Sequence, residues 1–173
     1  MILANNLSAQ YAAQNNIPFI FRSQPPSEPN DIDLSTIPVG PAQDFAKRVG
    51  LTRSVTSTTP LPHATLGLDA YAQTSSPIRR YADLINQRQL CAQLAGETLP
   101  YTQESIKETL HTLETPLVIS RNVARDTKKY WLLTFLRQMQ KRKETINGTI
   151  IRLDGRFPIV ELDTIYMLSL IHI

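Results

Sequence analysis

The period of the apolar residues changes at Thr145, and this change restricts the chain to folds that join a helical part to a β part. Upstream of that point, Leu3, Leu7 and Tyr11 recur at helical intervals, as do Ile106, Leu110 and Leu113. Downstream, "TINGTIIRLDGRFPIVEL" alternates on either side of an Asp-Gly pair, which is the pattern of a β-hairpin. The expected fold class is therefore α+β.

Local signals divide the helical part further. The first helix should end near Asn15 and Asn16, followed by a short apolar strand, "PFIFR". The stretch "QPPSEPNDIDLSTIPVGP" holds too many prolines for regular structure, and "PAQDFAKRVG" reads as a short helix closed by Gly50. "SVTSTTPLPHATLGLDAY" reads as loop or short strand. Ser76 is a good N-cap and Pro77 suits the first helical position, so a helix is expected to start there and run to about Gly96. Its expected buried face carries Ile78, Tyr81, Leu84, Ile85, Cys91 and Leu94. After Pro100 comes the helix of Ile106, Leu110 and Leu113. Thr115 and Pro116 then repeat the cap-plus-proline start for a long helix through Val118, Ile119, Tyr130, Trp131, Leu133 and Leu136 to about Lys143.

This reading puts Arg79 and Arg80 in the first turn of a helix, the end that the macrodipole makes positive. Asp83 is four residues from one and three from the other, close enough to orient a guanidinium. Free amides at the helix start, hydroxyls from Ser75 and Ser76 and a guanidinium fork describe a phosphate site. A capped helix with surface Arg/Asp pairs is the other reading of the same residues.

Composition sets wider bounds. With 173 residues, 42% of them hydrophobic and 19% charged, the chain is long enough for one globular domain or one plus a piece. The single cysteine, Cys91, excludes an intramolecular disulfide framework and CxxC zinc sites, and it is expected to pack on the apolar side of its helix in a reducing compartment. "MILANN" lacks a basic leader and no apolar run approaches a membrane span, so no signal peptide and no membrane partner are expected, and the expected location is cytoplasmic. The net charge is only +3, yet between Arg121 and Lys143 eight basic side chains face Asp126 alone. Such a run suits either a polyanion or a solvated helix face.

The stretch from Tyr71 through Ser75, Ser76, Pro77, Ile78, Arg79, Arg80, Tyr81, Asp83 and Leu84 to Arg88 resembles the signature of the RNB family, the ribonuclease II and ribonuclease R type exoribonucleases. "PLPHATLGLDAYAQ", with His63 and Gly67, resembles the segment that precedes it in that family, and "MILANNLSAQYAAQNNIPFIFR" the helix and strand before that. Gln73 and Gln87, where many members have His, and Ser75, where most have Thr, are departures that keep hydrogen-bonding capacity.

The resemblance implies a parent that is a hydrolytic 3′ to 5′ exoribonuclease, releasing nucleoside 5′-monophosphates from single-stranded RNA by two-metal chemistry. It makes Arg79 the catalytic residue, a guanidinium on the scissile phosphate, and Ser75, Ser76, Arg80 and Asp83 its support. Tyr71 and Tyr81 either pack or touch RNA. The implied cofactor is Mg²⁺, held by aspartates upstream, with no metal ligand in this chain, so the chain alone is expected to be inactive and the parent monomeric. Asp31 and Asp33 are expected to face solvent, His63 to hold its loop together, and His111 to lie on the surface.

The implied boundaries are residues 1–143 for the C-terminal part of an RNB catalytic domain and 144–167 for the first two strands of an OB-fold RNA-binding domain. Residues 168–173, "LSLIHI", match the translated end of a transposon used as a sequencing adapter, and read either as frame run-through, His172 included, or as a genuine strand. Two other readings stay open: a non-catalytic RNA-binding relative that lacks the upstream aspartates, and a short helical protein whose resemblance is coincidental.

Overall fold

The computed structural model describes residues 1–27, 33–153, 157–163, 165 and 167–170. In chain order these form α1 (Ile2–Gln14), β1 (Phe21–Ser23), a 3₁₀ turn (Leu34–Thr36), α2 (Pro41–Val49), β2 (Val55–Ser57), a second 3₁₀ turn (Ala64–Leu66), α3 (Tyr81–Ala95), α4 (Gln103–Lys141), β3 (Gly148–Arg152), β4 (Ile159–Leu162) and β5 (Met167–Leu170). β1 and β2 pair antiparallel, and β3, β4 and β5 form an antiparallel sheet in that order. The fold class is α+β, as expected. Two compact units share the chain: Met1–Glu28 with Leu51–Thr115, and Pro29–Gly50 with Pro116–Ile173.

In the first unit the core gathers Ala9, Ala12, Ile17, Phe19, Phe21, Ala70 and Ala72, with a second cluster of Ile20, Ile85 and Ile106. The apolar periodicity of α1 and α3 points into this core only in part, at Tyr11 and Ile85. On α1 the buried residues are Asn5, Asn6, Ala9 and Ala12, whereas Leu3 and Leu7 are exposed. On α3 they are Asp83, Ile85, Asn86, Gln89 and Ala92, whereas Ile78 ahead of the helix and Tyr81, Cys91 and Leu94 on it are exposed. The expected packing role of Cys91 is thereby corrected.

The cause is the irregular backbone on either side of these helices. Residues 17–20 and 70–76 leave peptide groups without ladder partners, and a buried peptide group must be satisfied. Asn86 does this as a strand would: its Oδ1 accepts the Ile20 N–H at 2.9 Å while its Nδ2 donates to the Ile20 and Gln73 carbonyls at 2.9 and 3.1 Å. Gln89 donates to the Pro18 and Tyr101 carbonyls and accepts the Tyr101 N–H. From the other side, Asn6 donates to the Ala70 carbonyl and Asn5 Oδ1 accepts the Thr74 N–H and hydroxyl.

Helix ends follow local chemistry more closely. Gly96 takes the left-handed conformation (φ 70°) that closes α3, and Gly50 closes α2. α4 begins with a reciprocal cap, in which the Ser105 N–H donates to Thr102 Oγ1 and the Thr102 N–H to Ser105 Oγ. The helix then runs unbroken past Pro116, so the expected restart at Thr115 and Pro116 does not occur. Proline within a helix removes one N–H donor and costs about 3 kcal/mol, which the rest of a 39-residue helix absorbs.

In the second unit, Asp33 caps its 3₁₀ turn through the Ser35 N–H and hydroxyl, and these hydrogen bonds hold its exposed carboxyl below the ordinary aspartate range. Asp31 lies outside the described residues, as do the Asp154-Gly155 pair of the expected hairpin turn and His172. β3 and β4 pair with a bulge between Ile150 and Arg152, and β5 adds a third strand in which Leu168 faces Glu161. Gly148 sits under the side chain of Val160: a Cβ there would lie 2.6 Å from Val160 Cγ1 and 3.1 Å from the Glu161 carbonyl. Gly148→Ala is therefore expected to lower stability by about 1–3 kcal/mol, read as a lower thermal midpoint by circular dichroism. An unchanged midpoint would show that Val160 moves aside freely.

Candidate functional site

The candidate site is built on a turn. Ser76 accepts hydrogen bonds at its carbonyl from the Arg79 and Arg80 N–H groups, closing a bend over Pro77 and Ile78. Arg80 then adopts an extended conformation (φ −127°, ψ 112°), and helical geometry begins only at Tyr81. The expected start at Ser76 and Pro77 is corrected accordingly: Arg80 is the residue that enters α3 and Arg79 lies wholly before it.

Asp83 explains why the bend and the helix are separate. Its Oδ2 accepts the Ser76 N–H at 2.9 Å, Arg80 Nε at 3.0 Å and Arg80 Nη2 at 2.7 Å. The same Nη2 also reaches Ser75 Oγ at 3.3 Å. The carboxylate is fully buried and sits in the first turn of α3, where the helix dipole favours it. A single oxygen thus ties the start of the bend to its end, and two charge-assisted bonds set the angle of the Arg80 fork. Asp83 Oδ1 has no hydrogen-bond partner among the described residues.

The two arginines thereby divide. Arg80 is neutralised by Asp83 inside the fold, whereas Arg79 is exposed and, among the described residues, its side chain has neither a hydrogen-bond nor an ion-pair partner. The positive end of α3 is answered by Asp83, so the fixed guanidinium of Arg79 remains available to an outside anion. Tyr81 is half exposed at the head of α3, and Arg88 further along donates to the Tyr101 hydroxyl at 2.8 Å.

Behind the bend the chain is held by buried polar groups. Tyr71 packs: its ring is buried, its hydroxyl accepts from Asn5 Nδ2 at 3.0 Å, and it meets the His63 ring in a T-shaped contact with centroids 5.5 Å apart. Gln87 Nε2 donates to the Thr74 carbonyl at 2.6 Å. Apolar periodicity missed Asn5, Asn86 and Gln87 as supports of this segment. The recurrence of Asp83, Asn86 and Gln89 at three-residue spacing was the available signal for a polar buried face.

His63 holds its loop through backbone bonds to Leu68 and, through Ala64, to Gln24, and burial pushes its imidazole below the ordinary value of 6.5. The unfolded chain then binds a proton more readily than the folded one, so stability is full above about pH 6.5 and falls as the solution is acidified below it. The urea midpoint is expected to be higher at pH 7.5 than at pH 5.5, with the difference reduced in His63→Gln. An unaltered difference in that variant would assign the pH dependence elsewhere.

Among the described residues no group of three or more His, Cys, Asp or Glu side chains converges. No described helix is long and apolar enough to cross a membrane.

The sequence profile of the RNB domain matches residues 1–96, more than half of the chain. The chain belongs to the RNB family. Its relatives include a protein of Synechocystis named as an uncharacterized ribonuclease, 42% identical over 153 residues, a match that covers 88% of this chain and 23% of the relative. Ribonuclease II, chloroplastic/mitochondrial, of Arabidopsis thaliana is 30% identical over 146 residues, covering 83% of this chain and 18% of the relative. The chain thus spans less than a quarter of the length of these RNB relatives.

Solved structures agree on the fold. An active-site mutant of the Dss1 exoribonuclease from Candida glabrata superposes with a TM-score of 0.74 at 24% identity over 94% of this chain and 22% of that one. Ribonuclease R of Mycoplasma genitalium, in complex with ribose-methylated single-stranded RNA, gives 0.72 at 20% identity over 98% of this chain and 32% of that one. The helical RNB portion followed by antiparallel strands accords with an RNB domain leading into an OB-fold.

Proposed function

We propose that the chain is part of an RNB exoribonuclease that hydrolyses single-stranded RNA from its 3′ end to nucleoside 5′-monophosphates, with Arg79 on the scissile phosphate. The observation that carries this reading is the division of the arginine pair. Asp83 consumes Arg80 and fixes the bend, and Arg79 is left exposed just ahead of a helix start. A guanidinium fork brought onto a phosphate stabilises charge that develops on its oxygens during attack by water. Ser75, Ser76, Arg80 and Asp83 hold the bend that carries Arg79, and Tyr81 is the exposed aromatic next to it.

In this reading residues 1–143 complete an RNB catalytic domain, residues 144–167 open an OB-fold, and residues 168–173 are adapter run-through. Sequencing the source gene past Met167 checks the last point, since "LSLIHI" in clean genomic DNA would make these residues native. The Mg²⁺ of the parent is held by aspartates upstream of these residues, and the parent works as a cytoplasmic monomer. Labelled single-stranded RNA incubated with this chain and Mg²⁺ should remain intact. Processive release of mononucleotides would place the metal ligands within the chain and overturn that assignment.

A further inference from the structure

We propose that Asn5 and Gln87 are positioning residues for Arg79, which they place by gripping Thr74 from two helices; the role rests on the reading of Arg79 given above. The Arg79 side chain has no hydrogen-bond or ion-pair partner among the described residues, so its place is set by the backbone that carries it. That backbone is irregular from Ala72 to Ser75, and side chains stand in for a ladder there. Thr74 lies two residues ahead of Ser76, whose carbonyl accepts the Arg79 and Arg80 N–H groups and closes the bend.

Thr74 is held at both ends of its own backbone. From α1, Asn5 Oδ1 accepts the Thr74 N–H at 3.1 Å and the Thr74 hydroxyl at 3.0 Å. From α3, Gln87 Nε2 donates to the Thr74 carbonyl at 2.6 Å. Asn5 is itself steadied, since its Nδ2 donates to the Tyr71 hydroxyl at 3.0 Å. Asn5 and Thr74 are both buried, where hydrogen bonds are stronger than in water. Apolar packing would hold this segment without fixing its rotation, because the hydrophobic effect has no direction. Hydrogen bonds weaken steeply off line, so an acceptor from one helix and a donor from another fix both the depth and the orientation of one residue. Asp83 acts one step further on, at the Ser76 N–H and Arg80, and joins the two ends of the bend to each other. Asp83 sets the shape of the bend, and the grip on Thr74 sets where that shape sits. Placement matters at this scale: a functional group has to be held to about 0.5 Å, and a displacement of about 1 Å costs roughly 10²-fold in rate.

Gln87 is half-buried, so Gln87→Leu disturbs the core less than a change at Asn5. In this chain the variant is followed by amide hydrogen exchange, residue by residue. The Thr74 and Ser76 amides should exchange about tenfold faster than in the parent sequence, while those in the middle of α3 keep their rates. Unchanged rates at Thr74 and Ser76 would overturn the grip. In a complete relative with Asn, Thr and Gln at the positions of Asn5, Thr74 and Gln87, Gln87→Leu should lower kcat about tenfold with KM little changed. Gln87→His keeps an N–H donor for the carbonyl and should lose less. Thr74→Val, which removes only the hydroxyl bonded to Asn5, should lower kcat about threefold.

The loss should depend on Arg79. With Arg79→Ala already in place, Gln87→Leu should cost less than about twofold, whereas a general loss of structure would cost the same factor with and without Arg79. Equal factors in the two backgrounds, a raised KM at unchanged kcat, or a Gln87→Leu enzyme as fast as the parent while Arg79→Ala is slow, would each overturn the positioning role alone. Hydrolysis that Arg79→Ala leaves untouched would bring down the reading of Arg79 and this role with it.

Discussion

Arg79→Lys, made at the matching position of a complete relative, is expected to lower the single-turnover rate of RNA hydrolysis roughly 10²- to 10³-fold, the usual consequence of losing one preorganised donor. Lysine keeps the charge but presents a single hydrated ammonium where arginine presents a planar fork. Folding should be untouched, because Arg79 is exposed and its side chain has no partner among the described residues. The thermal midpoint of the variant should therefore match that of the parent sequence. Undiminished turnover would remove Arg79 from the mechanism, and a lowered midpoint would mean that it has a structural partner after all.

The second large effect concerns the carboxylate behind the bend. Asp83→Ala in this chain should reduce stability by about 2–4 kcal/mol, seen as a lower urea midpoint at unchanged slope. The substitution leaves the Ser76 N–H and two Arg80 donors without their common acceptor. The Arg80 side chain is 29% exposed and can recover part of its hydration, which keeps the loss below that of a wholly buried pair. Asp83→Asn retains an oxygen for the Ser76 N–H but loses the charge opposite Arg80, so it should fall between the two. In a complete relative the same Asn variant should slow hydrolysis by loosening the bend that carries Arg79. A variant as stable as the parent sequence would show that the bend is held by its neighbours alone.

What was legible in the sequence tracks how local each signal is. The glycine closures at Gly50 and Gly96 and the end of α1 near Asn15 depend on one or two residues and were readable. So was the change of class, since alternation after Thr145 reflects the pleat of a strand whatever covers it. The start of α3 was not readable. Ser76 and Pro77 carry the chemistry of a helix cap, yet Asp83, seven residues on, captures the Ser76 N–H and turns the segment into a separate bend.

The buried face of α3, right at Ile85 but otherwise mostly polar, departs from the apolar pattern for a related reason. Periodicity assumes that a helix buries its apolar residues, whereas Asn5, Asn6, Asn86 and Gln89 are buried to satisfy distant peptide groups that no local pattern reveals. Pro116 has the reverse history: a strong local signal for a helix start lies inside a helix that was already nucleated at Thr102 and Ser105. For the site, the residue types that bring phosphate chemistry were visible in the sequence. The division of labour between Arg79 and Arg80 needed the coordinates of Asp83.

Chemical rescue gives the most direct access to the central claim. In a complete relative, the counterpart of Arg79→Ala is assayed in single turnover with guanidinium or ammonium added at equal ionic strength. A guanidinium on the scissile phosphate predicts a large loss of rate on truncation and saturable recovery with guanidinium but not with ammonium. A truncated enzyme that cleaves RNA at the original rate would contradict it.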